Sequence, residues 1–158
     1  MQSLFSSLVR IACGAALVFT VAAASCAGER PKVEFLNSGK VTTGDLPFSE
    51  AVRHGDTLYL SGQIGVAPGT LKLVAGGFEP EARQALENIR TILAANGRAP
   101  SDLLKCTVML ADMGDWPAFN TIWRGFLKSP FPARSAFGAN GLALGARVEV
   151  ECLAAAGP

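Results

Sequence analysis

This sequence contains almost no histidine, because His54 is the only imidazole among its 158 residues. A histidine-rich metal site and an HExxH motif are therefore excluded, and a Ser-His-Asp triad would have to use this one residue. Charge is sparse as well, since 17% of the residues are charged and the formal net charge is +1. That balance provides no broad basic surface for nucleic acid. The hydrophobic fraction of 49% excludes a disordered chain, and the length fits one domain.

The hydrophobic residues are concentrated at the N-terminus. Residues 1–27 contain one basic residue, no acidic residue, and a small and apolar run from Ile11 to Ala24. This run is shorter than the ~20 residues of a membrane span, but it has the size of a signal-peptide core. Ser25-Cys26-Ala27 fits cleavage, which we favour. The same segment also resembles a weak lipobox that would leave Cys26 lipidated, and a retained anchor helix ranks third. Each interpretation predicts export, with a bacterial periplasm as the expected location.

The chain beyond residue 27 is expected to be electrically neutral. Its 131 residues (158 minus 27) carry 13 basic residues (14 minus Arg10) and 13 acidic ones. We therefore expect no nucleic-acid partner and no membrane span in this part of the chain. Residues 28–45 form a polar lead-in, and 46–158 form one domain. Cys106 and Cys152 lie in apolar runs and are interpreted as buried free thiols, although the sequence leaves a disulfide open.

Hydrophobic periodicity predicts the secondary structure. Strands are expected near 33–36, 49–53, 57–61, 71–74, 103–110, 134–137 and 147–153. Helices are expected over 81–96 and from an N-cap at Asp115 to Leu127. His54 belongs to a tight turn with Gly55, which argues against a catalytic role. The order of strands, helix, strand, helix and strands predicts an α+β fold, with a largely antiparallel sheet and two helices on one face.

The final strand predicts a sheet with two different faces. Val148, Val150 and Cys152 alternate with Arg147, Glu149 and Glu151. The charged face is either wet in a monomer or closed in an oligomer. If the last two strands form a hairpin, Arg134 and Glu149 come within reach of each other, since they lie 15 residues apart across one loop. Spacing alone favours an ion pair between them over a catalytic pair.

Five segments together carry a family resemblance. They are Leu60–Ile64, Ala82–Ile89, Phe119-Asn120, Phe131–Ser135 and Val148–Glu151. In order and spacing they resemble the signature of the RidA/YjgF family, the reactive-intermediate imine deaminases. The resemblance covers roughly residues 46–155. It implies a chorismate-mutase-like α+β unit that assembles as a homotrimer, with the sheets in a central barrel and the ligand sites in clefts between subunits.

The resemblance also implies an activity. Family members hydrolyse 2-imino acids or their enamine tautomers, such as 2-aminoacrylate and 2-iminobutanoate, to 2-oxo acids and ammonia without metal or cofactor. By position, Arg134 would bind the substrate carboxylate and Glu149 would position or activate the attacking water. Backbone groups near Ala136 would contact the imine nitrogen. Asn120 and the strand end at Ser61-Gly62 would line the cleft.

Two positions depart from the family pattern and bear on substrate preference. Phe48 stands where the family often has a tyrosine, so an aromatic wall remains without its hydroxyl group. Ala136 stands where a cysteine is common. Two other hypotheses remain open beside the deaminase. One is a non-catalytic trimer that binds small carboxylates or other proteins, and the other is a different hydrolase that depends on Glu149.

Overall fold

A computed structural model of the protein describes residues 31–42 and 44–157, so the expected leader 1–27 lies outside the described residues. The strands are β1 (Val33–Leu36), β2 (Ala51–His54), β3 (Thr57–Ile64), β4 (Leu103–Leu110), β5 (Ala133–Gly138) and β6 (Val148–Ala155), and the helices are α1 (Phe78–Ala95) and α2 (Trp116–Phe126). The α+β prediction is confirmed. No helix within the described ranges is long and apolar enough to cross a membrane.

The two helices begin and end close to where the sequence predicts. Pro80 lies in the first turn of α1, where a missing N–H costs nothing, and Gly97 follows the helix with a φ of 68°. Asp115 precedes α2, but its side chain makes no capping hydrogen bond. It accepts a 3.0 Å bond from Arg147 Nη2 instead, which ties the start of α2 to the residue preceding β6.

The six strands form one sheet in the order β1-β2-β3-β6-β4-β5. Every neighbouring pair is antiparallel except β4 and β5, which run parallel. The expected hairpin of the last two strands is therefore wrong, because β4 lies between them. Leu103, Cys106, Val108 and Leu110 of β4 are buried. Because β4 pairs on both sides, this apolar strand lies inside the sheet, and the more exposed β5 is left at the edge.

Two further predictions need correction. The expected strand at 71–74 forms only an isolated bridge between Val66 and Leu73, and the glycines at 76 and 77 then lead into α1. Cys106 and Cys152 are not free thiols but form a disulfide. They are directly opposite each other in the β4–β6 register, which brings their sulfur atoms together on the buried face.

The sheet has one covered and one open face, as the last strand predicted. Val148, Val150 and Cys152 are buried beneath the helices, whereas Glu149 is half-buried and Glu151 exposed on the opposite face.

The open face also carries large apolar side chains, including Phe35, Tyr59 and Phe137. Phe35 is 73% exposed. An apolar surface of this kind is typical of a face that contacts another protein chain.

Candidate active site

Arg134 lies on the edge strand β5 and points to the face covered by α2. Its guanidinium carbon lies 4.5 Å from the ring centre of Trp116 and 5.0 Å from that of Trp123. Its Nη2 donates a 2.5 Å hydrogen bond to Asn120 Oδ1. The three partners belong to one helix, so α2 fixes the plane of the cation by stacking and by a hydrogen bond. We call Arg134, Trp116, Asn120 and Trp123 the arginine cluster.

The arginine cluster has positive charge without a negative partner. Arg134 Nη1 is buried and has no hydrogen-bond partner, and no carboxylate among the described residues pairs with this side chain. Burial, and after it repulsion from Arg124, lowers the pKa of the Arg134 guanidinium. Both arginines line a cavity of about 240 Å³ with Phe131. A planar guanidinium with a free donor is suited to hold a carboxylate from a ligand.

Glu149 lies on β6 and points to the open face, where its half-buried side chain lines a second cavity of about 310 Å³. The residues that line this cavity with Glu149 are mostly apolar, and they are Thr42, Leu46, Phe48, Gly62, Gln63, Ile64, Val66, Leu71, Ala143 and Leu144. We call this the glutamate cavity. It has the character of a small-molecule site, in which one polar group lies within an apolar wall.

A bulge in β3 makes room for the Glu149 carboxylate. Leu60 pairs with Cys152 and Gln63 with Val150, so Ser61 and Gly62 together oppose Glu151 alone. A methyl group on Gly62 would overlap the carboxylate oxygen of Glu149. The absence of a side chain at Gly62 therefore allows the carboxylate to lie against the backbone of β3.

The surroundings of Glu149 favour its protonated form. Burial, and after it repulsion from Glu151, raises the pKa of the Glu149 carboxyl group. No hydrogen bond to its carboxylate is present among the described residues. A carboxylate that is partly desolvated and unpaired is a better proton acceptor than one in water. No group of three or more histidine, cysteine, aspartate or glutamate side chains in the described ranges could hold a metal ion.

A second carboxylate, Glu50, supports the wall of the glutamate cavity without lining it. Its side chain is only 1% exposed. It accepts hydrogen bonds from the backbone of Ser38 at 2.6 Å and of Thr42 at 2.9 Å, and from the Thr42 hydroxyl at 2.9 Å. Burial alone would raise its pKa, but the hydrogen bonds from Ser38 and Thr42 outweigh burial and lower the pKa. Glu50 thus fastens the segment that contributes Thr42 to the cavity.

The arginine cluster and Glu149 do not meet within one chain. Arg134 is level with Cys106, whereas Glu149 is level with Met109, and β4 separates their strands. Ideal strand spacing then gives about 14 Å between their Cα atoms. Their side chains also point to opposite faces of the sheet. One chain therefore cannot hold one small substrate between these two residues.

The other predicted site residues divide between the two sites. Asn120 belongs to the arginine cluster, and Phe48 and Gly62 line the glutamate cavity. The Ser61 hydroxyl donates a 2.6 Å bond to the Ser49 carbonyl and so helps to join β2 to β3. Ala136 lies on β5, two residues beyond Arg134, with its side chain packed against the core.

Sequence reasoning missed several contributors to these sites. Trp123 is one of them, because its buried ring stacks on Arg134 as well as packing in the core. The spacing of Trp116, Asn120 and Trp123 along one helix face was a signal that could have revealed the cluster. Nothing local to the sequence pointed to Leu144 or Glu50, because both act through contacts with distant segments.

The chain is similar to known proteins both in sequence and in fold. A family model described as Endoribonuclease L-PSP matches residues 42–156. A human protein named 2-iminobutanoate/2-iminopropanoate deaminase is 45% identical over 112 residues, which cover 71% of this chain and 82% of the human one. The goat (Capra hircus) protein of the same name is 42% identical over 123 residues, covering 78% and 90% of the two chains.

The solved structures show the same fold. The crystal structure of RidA from an Antarctic Psychrobacter species matches with a TM-score of 0.73 at 34% identity, and the match covers 77% of this chain and 98% of that one. The structure of E. coli TdcF with bound serine matches with a TM-score of 0.72 at 27% identity and the same coverage. The similarity thus extends over nearly the whole length of both of these solved proteins.

Proposed function

The chain belongs to the RidA/YjgF family, and from this premise we propose that it hydrolyses reactive 2-imino acids, or their enamine tautomers, to 2-oxo acids and ammonia. The observation that carries the proposal is the buried Nη1 of Arg134, which has no hydrogen-bond partner and can donate to the carboxylate shared by such substrates. The names of the human and goat relatives support the same reaction. The reaction as proposed requires no metal or organic cofactor.

The proposed mechanism uses the two half-sites for different tasks. Arg134 holds the substrate carboxylate, while Glu149 accepts a proton from the water whose oxygen bonds to the imine carbon. That proton then passes from Glu149 to the nitrogen, and the C–N bond breaks with its electron pair on nitrogen, so that ammonia leaves. Glu149 takes the proton of the new hydroxyl group as the carbonyl forms, and this second proton converts ammonia to ammonium. The iminium ion and one water thus become one 2-oxo acid and one ammonium ion. General base catalysis of this kind raises the reaction rate by about 10²–10⁴-fold.

We further propose that each complete site is built from two copies of the chain. The half-sites of a single chain are too far apart and face opposite sides of the sheet, so Arg134 of one copy must meet Glu149 of another. The apolar open face supplies a surface that association would bury. We propose a homotrimer, in keeping with the family resemblance. Native mass spectrometry of the protein should give three copies, and a monomer that remains fully active would contradict this assembly.

Export remains part of the proposal. The composition of residues 1–27 supports a signal peptide, and the Cys106–Cys152 disulfide supports an oxidising compartment such as the periplasm. Mass spectrometry of the protein from its native cells should find a chain that begins at Gly28, or a lipidated Cys26. An unprocessed N-terminus in the cytoplasmic fraction would contradict export.

The decisive experiment for the activity compares three proteins in one assay. Wild-type protein, Arg134→Ala and Glu149→Gln are incubated with freshly generated 2-aminoacrylate or 2-iminobutanoate, and 2-oxo acid formation is followed. We expect wild-type protein to accelerate 2-oxo acid formation over the uncatalysed reaction, and we expect both variants to lose this acceleration. Saturable 2-oxo acid binding without turnover would favour the non-catalytic binding trimer instead. Activity confined to unrelated substrates and dependent on Glu149 would favour another hydrolase.

A further inference from the structure

One residue of the glutamate cavity has a costly backbone conformation. Leu144 has a φ of 58° and a ψ of 14°, and within the described ranges it is the only residue other than glycine with a positive φ. The left-handed region brings a Cβ atom close to the following carbonyl oxygen, so leucine is less stable there than glycine. Gly145 follows directly with a φ of 73°, so two consecutive residues of this turn have a left-handed backbone.

The strained backbone places the Leu144 side chain at the mouth of the glutamate cavity. Leu144 lines this cavity with Glu149, and it is 58% exposed. Packing within one chain therefore does not explain why an isobutyl group stands at this position. Sparsely populated backbone conformations of this kind concentrate at ligand sites, where the orientation of a side chain matters more than its cost.

The cavity wall that one chain contributes around Glu149 is mostly apolar, and its extent exceeds what a small imine requires. Leu46, Phe48, Leu71 and Leu144 surround the cavity, whose volume is about 310 Å³. A methyl or ethyl group would contact only part of this wall. Each additional methylene buried against it would raise affinity roughly fourfold, whether measured by binding or by kcat/KM.

We propose that Leu144 is a specificity-determining residue, and that the glutamate cavity takes the side chain of imino acids derived from larger apolar amino acids, of leucine, methionine or phenylalanine size. This inference rests on the proposed function for its reaction, but it concerns a different contact. With the substrate carboxylate on Arg134 and the reacting carbon beside Glu149, the side chain would extend toward Leu144. The preferred products are then 2-oxo acids with branched, thioether or aromatic side chains.

The test uses two substitutions that separate the side chain from the backbone strain. Leu144→Ala removes the isobutyl group and keeps a Cβ at positive φ, whereas Leu144→Gly removes both. Leu104→Ala is the matched control, because Leu104 is an exposed leucine of β4 that does not line the glutamate cavity. For each protein, kcat/KM is measured for the imino acids from leucine and from 2-aminobutanoate. Affinities for the corresponding 2-oxo acids are measured by calorimetry.

We expect wild-type protein and Leu104→Ala to prefer the larger compound in both measurements. In both Leu144 variants the ratio of kcat/KM for the larger compound to kcat/KM for the smaller one, and the matching ratio of affinities, should fall by about tenfold. A change of this size is typical when apolar contact is lost in a specificity pocket. Only Leu144→Gly should also raise the denaturation midpoint, because only glycine relieves the backbone.

An unchanged ratio in both Leu144 variants would overturn the inference while leaving the proposed deaminase function intact. A wild-type preference for the smaller compound in both measurements would also overturn it. If no imine is hydrolysed but the affinity ratio changes as expected, the proposed function fails and the inference about the cavity stands. The calorimetric readout therefore separates the two failures.

Discussion

The arginine cluster and the glutamate cavity are opposites in almost every physical respect. The first is a cation fixed by the aromatic rings of one helix, on the covered face at the sheet edge. The second is a carboxylate on the open face, within a wall contributed by several loops and by β3. The pKa of Arg134 is lowered and the pKa of Glu149 is raised, in both cases first by burial. Each region thus disfavours its own charge.

This difference teaches how the site is completed. An unpaired guanidinium and an unpaired carboxylate would normally neutralise each other, but β4 and the sheet itself keep them apart. Removing water from a charged group that has no partner is unfavourable. Binding an opposite charge from outside would therefore stabilise each region. In the proposed mechanism a substrate carboxylate binds Arg134, and a water gives a proton to Glu149. In the proposed assembly a second copy of the chain would bring both residues to one substrate.

The largest expected effect follows from a change in the glutamate cavity. Glu149→Gln keeps the shape of the side chain but removes the proton acceptor, so kcat should fall by about 10²–10⁴-fold. In wild-type protein, activity should decrease as pH falls through the raised pKa of Glu149, above the ordinary glutamate value. The steady-state pH profile measures this acidic limb, which should be absent from any residual activity of the variant.

The same substitution, Glu149→Gln, should lower activity without lowering the stability of the fold at neutral pH. A raised folded-state pKa means that Glu149 contributes stability below its unfolded pKa and loses that contribution as pH rises through the folded pKa. Glu149→Gln should therefore be at least as stable as wild type at neutral pH, as measured by urea unfolding. A variant that is both inactive and less stable at neutral pH would argue for a structural role of Glu149.

A change in the arginine cluster should act on substrate binding more than on water activation. Arg134→Ala removes a charge-assisted bidentate contact and should lower kcat/KM by about 10²-fold. Arg134→Lys keeps the charge without the planar fork and should recover part of this loss. Steady-state kinetics on 2-iminobutanoate measure both. The acidic limb assigned to Glu149 should persist in both variants, and its disappearance would mean that the two regions do not have separate tasks.

The smallest effect is expected for the carboxylate behind the cavity wall. Glu50→Gln replaces an acceptor of charge-assisted hydrogen bonds, so the free energy of unfolding should fall by about 2 kcal/mol at neutral pH. Because the folded-state pKa of Glu50 is lowered, its stabilisation is present above the unfolded pKa and is lost as pH falls through the folded pKa. Urea unfolding at a series of pH values should show wild type and variant converging in acid. A constant difference across that range would contradict this assignment.

Local patterns predicted the elements, and long-range contacts decided their assembly. The alternation in β6 correctly separated Val148 and Val150 from Glu149, because side-chain direction is a property of the strand itself. The position of β4 between β5 and β6 was not predictable, since nothing near Arg134 or Glu149 specifies which distant strand pairs with theirs. The disulfide depends on that same register and was missed for the same reason. Leu144 was missed because leucine carries no local signal for a left-handed backbone.

The central claim is that Arg134 of one copy and Glu149 of another form each active site. It is tested most directly by co-expressing Arg134→Ala chains with Glu149→Gln chains and measuring deaminase activity of the mixed oligomers. If chains mix at random, about one quarter of the interfaces contain both intact residues. The account therefore predicts that activity returns to about a quarter of the wild-type value, whereas each variant alone stays inactive. Mixed oligomers no more active than the separate variants would contradict it.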